Sequence, residues 1–467
     1  VKTVLLHELL SRLPPEWAED LTSDLQFAAR AAGATVVVLD DDPTGTQTVH
    51  GVAVLTEWTV DALGAELAAA PPAFYVLTNS RSLPSGEARR LNDTIGRNLR
   101  TVVLPPGRRF IVVSRSDSTL RGHFPAETDA LAAALGGCDL TVLIPAFLDG
   151  GRFTVGDVHY VADGERLIPA GDTEFARDAA FGYRASNLRE WVAEKTGGRI
   201  AAEAVVSISL EDLRLGGPER VRDKVCATPP GGVVIVNAAS ARDLQVATLG
   251  LLRAEAVGKR LLYRTAASFV PLRAGLTPRP PLSASELLLS RGGGLIVVGS
   301  YVPKTSAQLD ALLRSGVACA EVLVEALLTG EARRAEIART AQAAEAALRR
   351  GEDFVLYTSR QRLTATDAER SLAMGQRVSA ALCDIVRAVQ TRPRYVLAKG
   401  GITSSDIATQ ALGVRRALVL GQVRPGVPVW KLGAEARWPG VPYIVFPGNV
   451  GSPQTLVEIM AELRGAS

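Results

Sequence analysis

Apolar positions along the chain gather into short unbroken runs separated by longer stretches of mixed polarity. Thr35–Leu39, Phe74–Leu77, Phe110–Val113 and Val233–Val236 are such runs. Runs this short and this rich in β-branched residues predict strands buried on both faces of a parallel sheet. The stretches between them are long enough for helices, and strands alternating with helices specify a doubly wound sheet. A second series follows at Leu295–Val298, Phe354–Tyr357, Tyr395–Ala398, Ala417–Leu420 and Tyr443–Phe446. Helices are predicted over Thr305–Leu313 and Ala332–Arg350, the latter with Gly351 just past its end. Between the two series, Pro271–Pro281 carries prolines that cannot continue a helix or a central strand. The expected fold is therefore α/β with two domains, residues 1–270 and 291–467, joined by a connector over 271–290. Each domain should hold a mostly parallel sheet flanked by helices, with an active site in the interdomain crevice.

The residues that end these runs carry the chemistry. Thr35–Leu39 stops at Asp40-Asp41-Asp42-Pro43-Thr44-Gly45, Phe74–Leu77 at Thr78-Asn79-Ser80-Arg81-Ser82, and Phe110–Val113 at Ser114-Arg115-Ser116-Asp117-Ser118. Val233–Val236 stops at Asn237. Parallel strands put all these ends along one sheet edge, where ligands of open α/β sheets bind. Carboxylates so close need a cation or a shared proton to offset their repulsion. One acidic turn alone fits a helix cap equally well; several polar ends at one edge favour a site. Arg121 follows Asp117 by four positions, so a helix starting at Asp117 would place both on one face.

Composition narrows the class. The chain of 467 residues is 47% hydrophobic with a formal net charge of +3 and no long basic tract, which argues against nucleic acid as a partner. Cys138, Cys226, Cys319 and Cys383 form no C-x-x-C pair and are expected as buried free thiols rather than a zinc site. The four histidines show no metal spacing, and only His123 lies within a motif. With no signal-peptide layout and no apolar stretch near the ~20 residues of a spanning helix, a cytoplasmic protein without membrane contact is expected.

In the second series three strand ends are rich in glycine and hydroxyls: Gly299-Ser300, Gly400-Gly401-Ile402-Thr403-Ser404 and Gly448-Asn449-Val450-Gly451-Ser452. Glycine lets a phosphate approach the backbone, and hydroxyls join free N–H groups in holding it. Three such turns in one domain point to a nucleotide pocket. Gly299–Thr305 lacks the P-loop spacing, and Gly292–Gly294 precedes a strand instead of following one, so neither a Walker lysine nor a dinucleotide fingerprint is present.

The chain resembles the four-carbon acid sugar kinase family through Asp41–Gly45, Asp117–Gly122, Pro145–Phe147 with Gly151-Arg152, Thr173–Asp178, Gly400–Ser404 and Gly448–Gly451. Asp117-Ser118-Thr119-Leu120-Arg121-Gly122 is the most specific block. The resemblance implies an ATP-dependent, Mg²⁺-assisted phosphotransferase acting on the terminal hydroxyl of a tetronate or 3-oxo-tetronate. It implies an N-terminal sugar-acid domain lined by Asp41, Asp42, Ser80, Arg81, Asp117, Ser118 and Arg121, to which Thr44 and Arg115 are added. It implies a C-terminal nucleotide domain contacting ATP through Ser300, Gly401, Thr403, Ser404 and Gly448, with Gly400 and Gly451 in the same turns. The chain departs from the family pattern at Pro43, Arg115 and His123.

An aspartate, Asp42 first and Asp117 second, is expected to accept the hydroxyl proton, as in phosphoryl transfer generally. The substrate carboxylate is expected at Arg81, Arg115 or Arg121, because a guanidinium pairs bidentately with it. No motif identifies metal ligands, and a homo-oligomer is left open. The alternatives are a sugar-acid-binding regulatory protein without turnover, or an aldolase or dehydrogenase acting on similar acids.

Overall fold

The computed structural model describes residues 2–287, 290–328, 330–360 and 368–465. It separates into two compact units, Val1–Pro278 and Arg279–Ser467. Pro271 sits inside a short helix, Phe269–Arg273, whose last residue is fully buried beside Glu255. The first residues of the expected connector thus belong to the N-terminal unit, and residues 288–289 near its end lie outside the described residues.

The N-terminal unit carries β1 (Ala34–Asp40), β2 (Val52–Leu55), β3 (Ala73–Leu77), β4 (Arg109–Arg115), β5 (Leu140–Ile144), β6 (Val206–Ile208), β7 (Gly232–Val236) and β8 (Leu261–Thr265). They lie in the order β6-β7-β5-β8-β4-β1-β3-β2, every neighbouring pair parallel. Helices cover both faces, which is why the strands are apolar throughout instead of alternating. One face packs Val37, Leu39, Phe74 and Val76 on Ile95, Leu99 and Leu131. The other packs Leu143 and Ile235 on Leu120, Phe124, Leu188 and Trp191. A small antiparallel sheet of Val4–Leu5, Arg166–Pro169, Val158–Asp163 and Arg152–Val155, not foreseen from the sequence, is added to this unit.

The C-terminal unit carries β9 (Leu295–Val298), β10 (Ala318–Val322), β11 (Phe354–Thr358), β12 (Val396–Lys399), β13 (Arg416–Arg424), β14 (Val427–Leu432) and β15 (Pro442–Phe446). Their order is β13-β14-β15-β12-β9-β11-β10, antiparallel from β13 to β15 and parallel beyond. Ile296, Val298, Leu397, Ile444 and Phe446 pack on Leu309, Leu312, Ile459 and Met460. All four cysteines are free; only Cys383 is buried, and Cys319 is exposed, so the expectation of four buried thiols holds for one. Among the described residues no helix is long and apolar enough to cross a membrane.

Candidate functional site

Register brings the N-terminal strand ends together. Asp40 stands opposite Leu77 on β3 and Arg115 on β4, and Arg115 stands opposite Thr265 on β8. The Thr78 N–H and hydroxyl both donate to Asp40 O at 2.8 Å, tying the turn after β3 to the end of β1. Gly45 packs so closely under Asp40 that a Cβ there would lie 2.1–2.4 Å from its carboxyl group.

The charged side chains form two layers. Deep in the edge, Arg115 Nη1 lies 3.2 Å from Asp40 and 3.6 Å from Asp41, and all three are buried. Burial pushes Asp40 up to about 8, against the pull of Arg115. Burial likewise pushes Asp41 up to about 6, with Arg81 and Arg115 opposing. Nearer solvent the signs alternate along a chain from Asp42 through Arg81, Asp117 and Arg121 to Asp178. Arg81 Nη2 is 2.5 Å from Asp42, and its Nη1 is 3.2 Å from Asp117. Arg121 Nε is 2.7 Å from Asp117, and its Nη1 is 3.6 Å from Asp178. Burial would raise Asp42, but Arg81 and the Thr44 N–H at 2.8 Å outweigh it and hold the group below the usual carboxylate range. Asp117 is held lower still: Arg121, Arg81 and the Thr119 hydroxyl outweigh its burial.

Asp117–Arg121 is a turn and not a helix; Leu120 has a φ of 67°, a left-handed conformation that breaks any helix there. The ion pair forms all the same because the turn brings position 121 back over 117. Buried His159 pins this turn, with its Nε2 2.8 Å from Ser118 O and its Nδ1 3.0 Å from the Thr154 hydroxyl. Burial pushes His159 down to about 4, so it works as a neutral donor. The Tyr183 hydroxyl donates to Thr119 O at 2.6 Å. His123, the histidine singled out by its motif, instead bridges Ser80 O and Leu83 O at 3.1 and 2.9 Å.

Asp41, Asp42, Thr44, Ser80, Arg81, Arg115, Asp117, Ser118 and Arg121 therefore share one edge, although Ser80 is buried with its hydroxyl accepting from Thr78. Asn237 stands apart, its amide committed to Asp157, Ser207 and Ile208 O. Two arginines absent from the sequence-based set are present. Arg152 lies 6.0 Å from the Phe175 ring, with Arg121 5.0 Å from the same ring. Arg264, on β8, lies over Phe124 and Trp191 at 5.5 and 5.3 Å. Arg152 had a signal in the motif that carries it; Arg264, an arginine inside an apolar run, had almost none.

In the C-terminal unit the three glycine turns meet at Ser300. A Cβ on Gly400 would lie 2.9 Å from Ser300 Cβ, and one on Gly448 would lie 2.8 Å from its Oγ. A Cβ on Gly299 would lie 2.3 Å from Thr403 Oγ1. Thr305 donates to Gly448 O at 2.9 Å, Gln308 reaches Val450 O and Ser452 O, and Gly451 takes a φ of 85° beside Thr455. Ser404 donates to Ala398 O at 2.8 Å, closing the turn after β12, and the segment Gly401–Asp406 is a short helix. Ser300, Gly400, Gly401, Thr403, Ser404, Gly448 and Gly451 thus belong to one backbone cradle.

The sequence reading missed two cations here. Arg360 donates to Ser300 O at 2.8 Å and to the Ser306 hydroxyl at 2.5 Å. Lys399, fully buried, donates to Pro447 O at 2.7 Å, and burial together with nearby Lys304 pushes it down to about 7. Among the described residues, no group of three or more acidic, histidine or cysteine side chains could hold a metal ion.

A model of a sugar-binding N-terminal domain matches residues 36–272, and a model of a nucleotide-binding C-terminal domain matches residues 295–456. The chain belongs to the four-carbon acid sugar kinase family. Among relatives in this family, a D-threonate kinase of Salmonella typhimurium is 26% identical over 75% of this chain and 80% of its own. A 3-oxo-tetronate kinase of Cupriavidus necator is 28% identical over 84% and 87%. A D-erythronate kinase of Heliobacterium modesticaldum is 28% identical over 52% and 51%. Solved proteins of Haemophilus influenzae and Salmonella typhimurium share the fold, both at 18% identity. Their TM-scores are 0.61 and 0.65, covering 91% and 92% of this chain and 100% and 99% of theirs. Both glycine cradle and charged lattice lie inside the matched domains of this sugar kinase family member.

Proposed function

We propose that the protein is an ATP-dependent kinase that phosphorylates the terminal hydroxyl of a four-carbon sugar acid of the threonate, erythronate or 3-oxo-tetronate type. The observation that carries this reading is the solvent-facing lattice of Asp42, Arg81, Asp117 and Arg121 on the sugar-binding domain. It offers carboxylate acceptors for hydroxyl protons, held ionised by the guanidinium groups beside them. The names of the relatives, and the glycine cradle on the nucleotide-binding domain, support the same reading.

In this reading Asp42 accepts the proton of the attacking hydroxyl. Held ionised by Arg81, it is ready as a base at neutral pH, and its side chain is 16% exposed. Asp117 orients Arg81 and Arg121 and is the second choice as base. Asp41 and Arg115 sit beneath and set the field of the upper layer, while Thr44 and Ser118 lie in the turns that carry Asp42 and Asp117. Ser300, Gly400, Gly401, Thr403, Ser404, Gly448 and Gly451 hold the nucleotide phosphates. The space that a Cβ would fill at Gly299, Gly400 and Gly448 fits that use. ATP supplies the phosphoryl group, and Mg²⁺ carried on its phosphates neutralises charge, with no protein ligand assigned.

The test is a coupled ADP-release screen of threonate, erythronate and their 3-oxo forms, with product phosphate ester identified by mass spectrometry. Turnover of none of them, with acid binding intact, would favour a regulatory sugar-acid-binding protein. Within an active enzyme, Asp42→Asn should lower kcat by ~10²–10⁴ in protein that remains folded at the assay temperature. A variant within a few-fold of wild type would move the role to Asp117.

A further inference from the structure

Three arginines of the N-terminal site have their charge already matched. Arg81 is shared by Asp41, Asp42 and Asp117, Arg115 by Asp40 and Asp41, and Arg121 by Asp117 and Asp178. Arg152 and Arg264 have no carboxylate in ion-pair contact among the described residues. Arg264 is 4% exposed, packed against the stacked Phe124 and Trp191 rings, and donates to Arg121 O at 3.1 Å, so it serves the packing of the turn. Arg152 is different. It is only half-buried, and its Nη1 donates to Gly150 O. Its Nε is buried without a partner, and among the described residues Nη2 makes no hydrogen bond.

The Nε–Nη2 edge is the one that engages a carboxylate through two parallel hydrogen bonds. Arg152 also shares the Phe175 ring with Arg121, two like charges on one aromatic ring. Burial depresses its basicity, Asp117 offsets this in part, and Arg121 depresses it further. An anion bound at the Nε–Nη2 edge would satisfy the stranded donor and relieve that repulsion together.

We propose that Arg152, held on Phe175, receives the carboxylate of the sugar acid and so makes the site selective for acids over neutral polyols. This rests on the kinase reading for the identity of the ligand. In this reading Arg152 takes the role expected of Arg81, Arg115 or Arg121: their guanidinium groups are committed to aspartates and shape the site, whereas Arg152 has no carboxylate in ion-pair contact among the described residues.

The experiment measures binding and turnover separately in the full-length protein. Calorimetric titration with threonate and erythronate in the absence of nucleotide, and KM for the same acids with ATP, should both weaken by about 10- to 100-fold in Arg152→Met, the worth of a charge-assisted hydrogen-bond pair. Activity on the matching tetritols, which lack the carboxylate, should move by less than about 2-fold. Arg152→Lys keeps the charge without the fork and should fall between; it carries the test if the methionine variant does not fold. Unchanged acid affinity in a folded variant, or equal losses for acid and tetritol, would overturn the assignment. Wild-type protein that binds the acids through Arg152 yet releases no ADP would refute the kinase reading and leave this one standing.

Discussion

Replacing Arg81 by methionine tests the charged lattice most directly. One guanidinium lies 2.5 Å from Asp42, 3.2 Å from Asp117 and 3.8 Å from Asp41, so the substitution strips three carboxylates of a shared cation. Removing one partner of a buried ion pair costs about 3–5 kcal/mol, against 0–1 for an exposed one. The Arg81 side chain keeps 17% of its exposure, so water screens part of the loss and about 3 kcal/mol is expected. At roughly 2–4 °C per kcal/mol, the N-terminal unit should melt about 6–12 °C earlier. Circular dichroism melts at neutral pH read this out. The pH dependence has a defined sign. Asp42 and Asp117 are depressed in the folded protein, so their contribution is present above the ordinary carboxylate value of 3.8 and is lost as pH falls through the folded value. Wild type and Arg81→Met should therefore converge in acid. Arg81→Met combined with Asp42→Asn should cost less than the sum of the single changes by at least about 0.5 kcal/mol, the threshold of coupled neighbours. A melting temperature within about 2 °C of wild type, or strict additivity of the pair, would refute a lattice held by shared charge.

Two further outcomes follow from close packing and from burial. Gly45→Ala puts a methyl group 2.1–2.4 Å from the Asp40 carboxyl, so the turn after β1 must move; a loss of about 1–3 kcal/mol and a fall in kcat/KM are expected. Gly86→Ala, whose methyl would meet only Arg90 at 3.7 Å, is the control, and equal effects from the two would count against a strained edge. Lys399 titrates at about 7 in the fold against 10.5 ordinarily, so the unfolded chain holds more protons between those values and stability rises with pH across that window. Lys399→Met should flatten that rise in urea unfolding of the C-terminal unit, and an unchanged slope would show that Lys399 is not its source.

The alternation of apolar runs with helical stretches was enough to specify two α/β units, because a strand covered by helices on both faces must be apolar along its length. The same logic placed Asp42, Arg81, Arg115 and Asp117 on one edge, since parallel strands send all their C-terminal ends in one direction. The glycine turns after β9, β12 and β15 were legible for the same reason. Local propensity also misled: Asp117–Arg121 reads as a possible helical turn, but tertiary bonds from His159 and Tyr183 hold it in a left-handed kink at Leu120. What only the tertiary structure decided is which charges cancel. Arg81, Arg115 and Arg121 look alike in the sequence to Arg152 and Arg264, because pairing depends on distances between side chains whose positions are up to 75 residues apart. Folding spends the first three on aspartates, packs Arg264 against the stacked Phe124 and Trp191 rings, and leaves Arg152 with a stranded donor. Likewise Lys399 is one of seven lysines in the chain until β12 and β15 close around it and remove its water. Covalent order determines where chemistry can gather, and three-dimensional charge balance determines which group remains free to perform it.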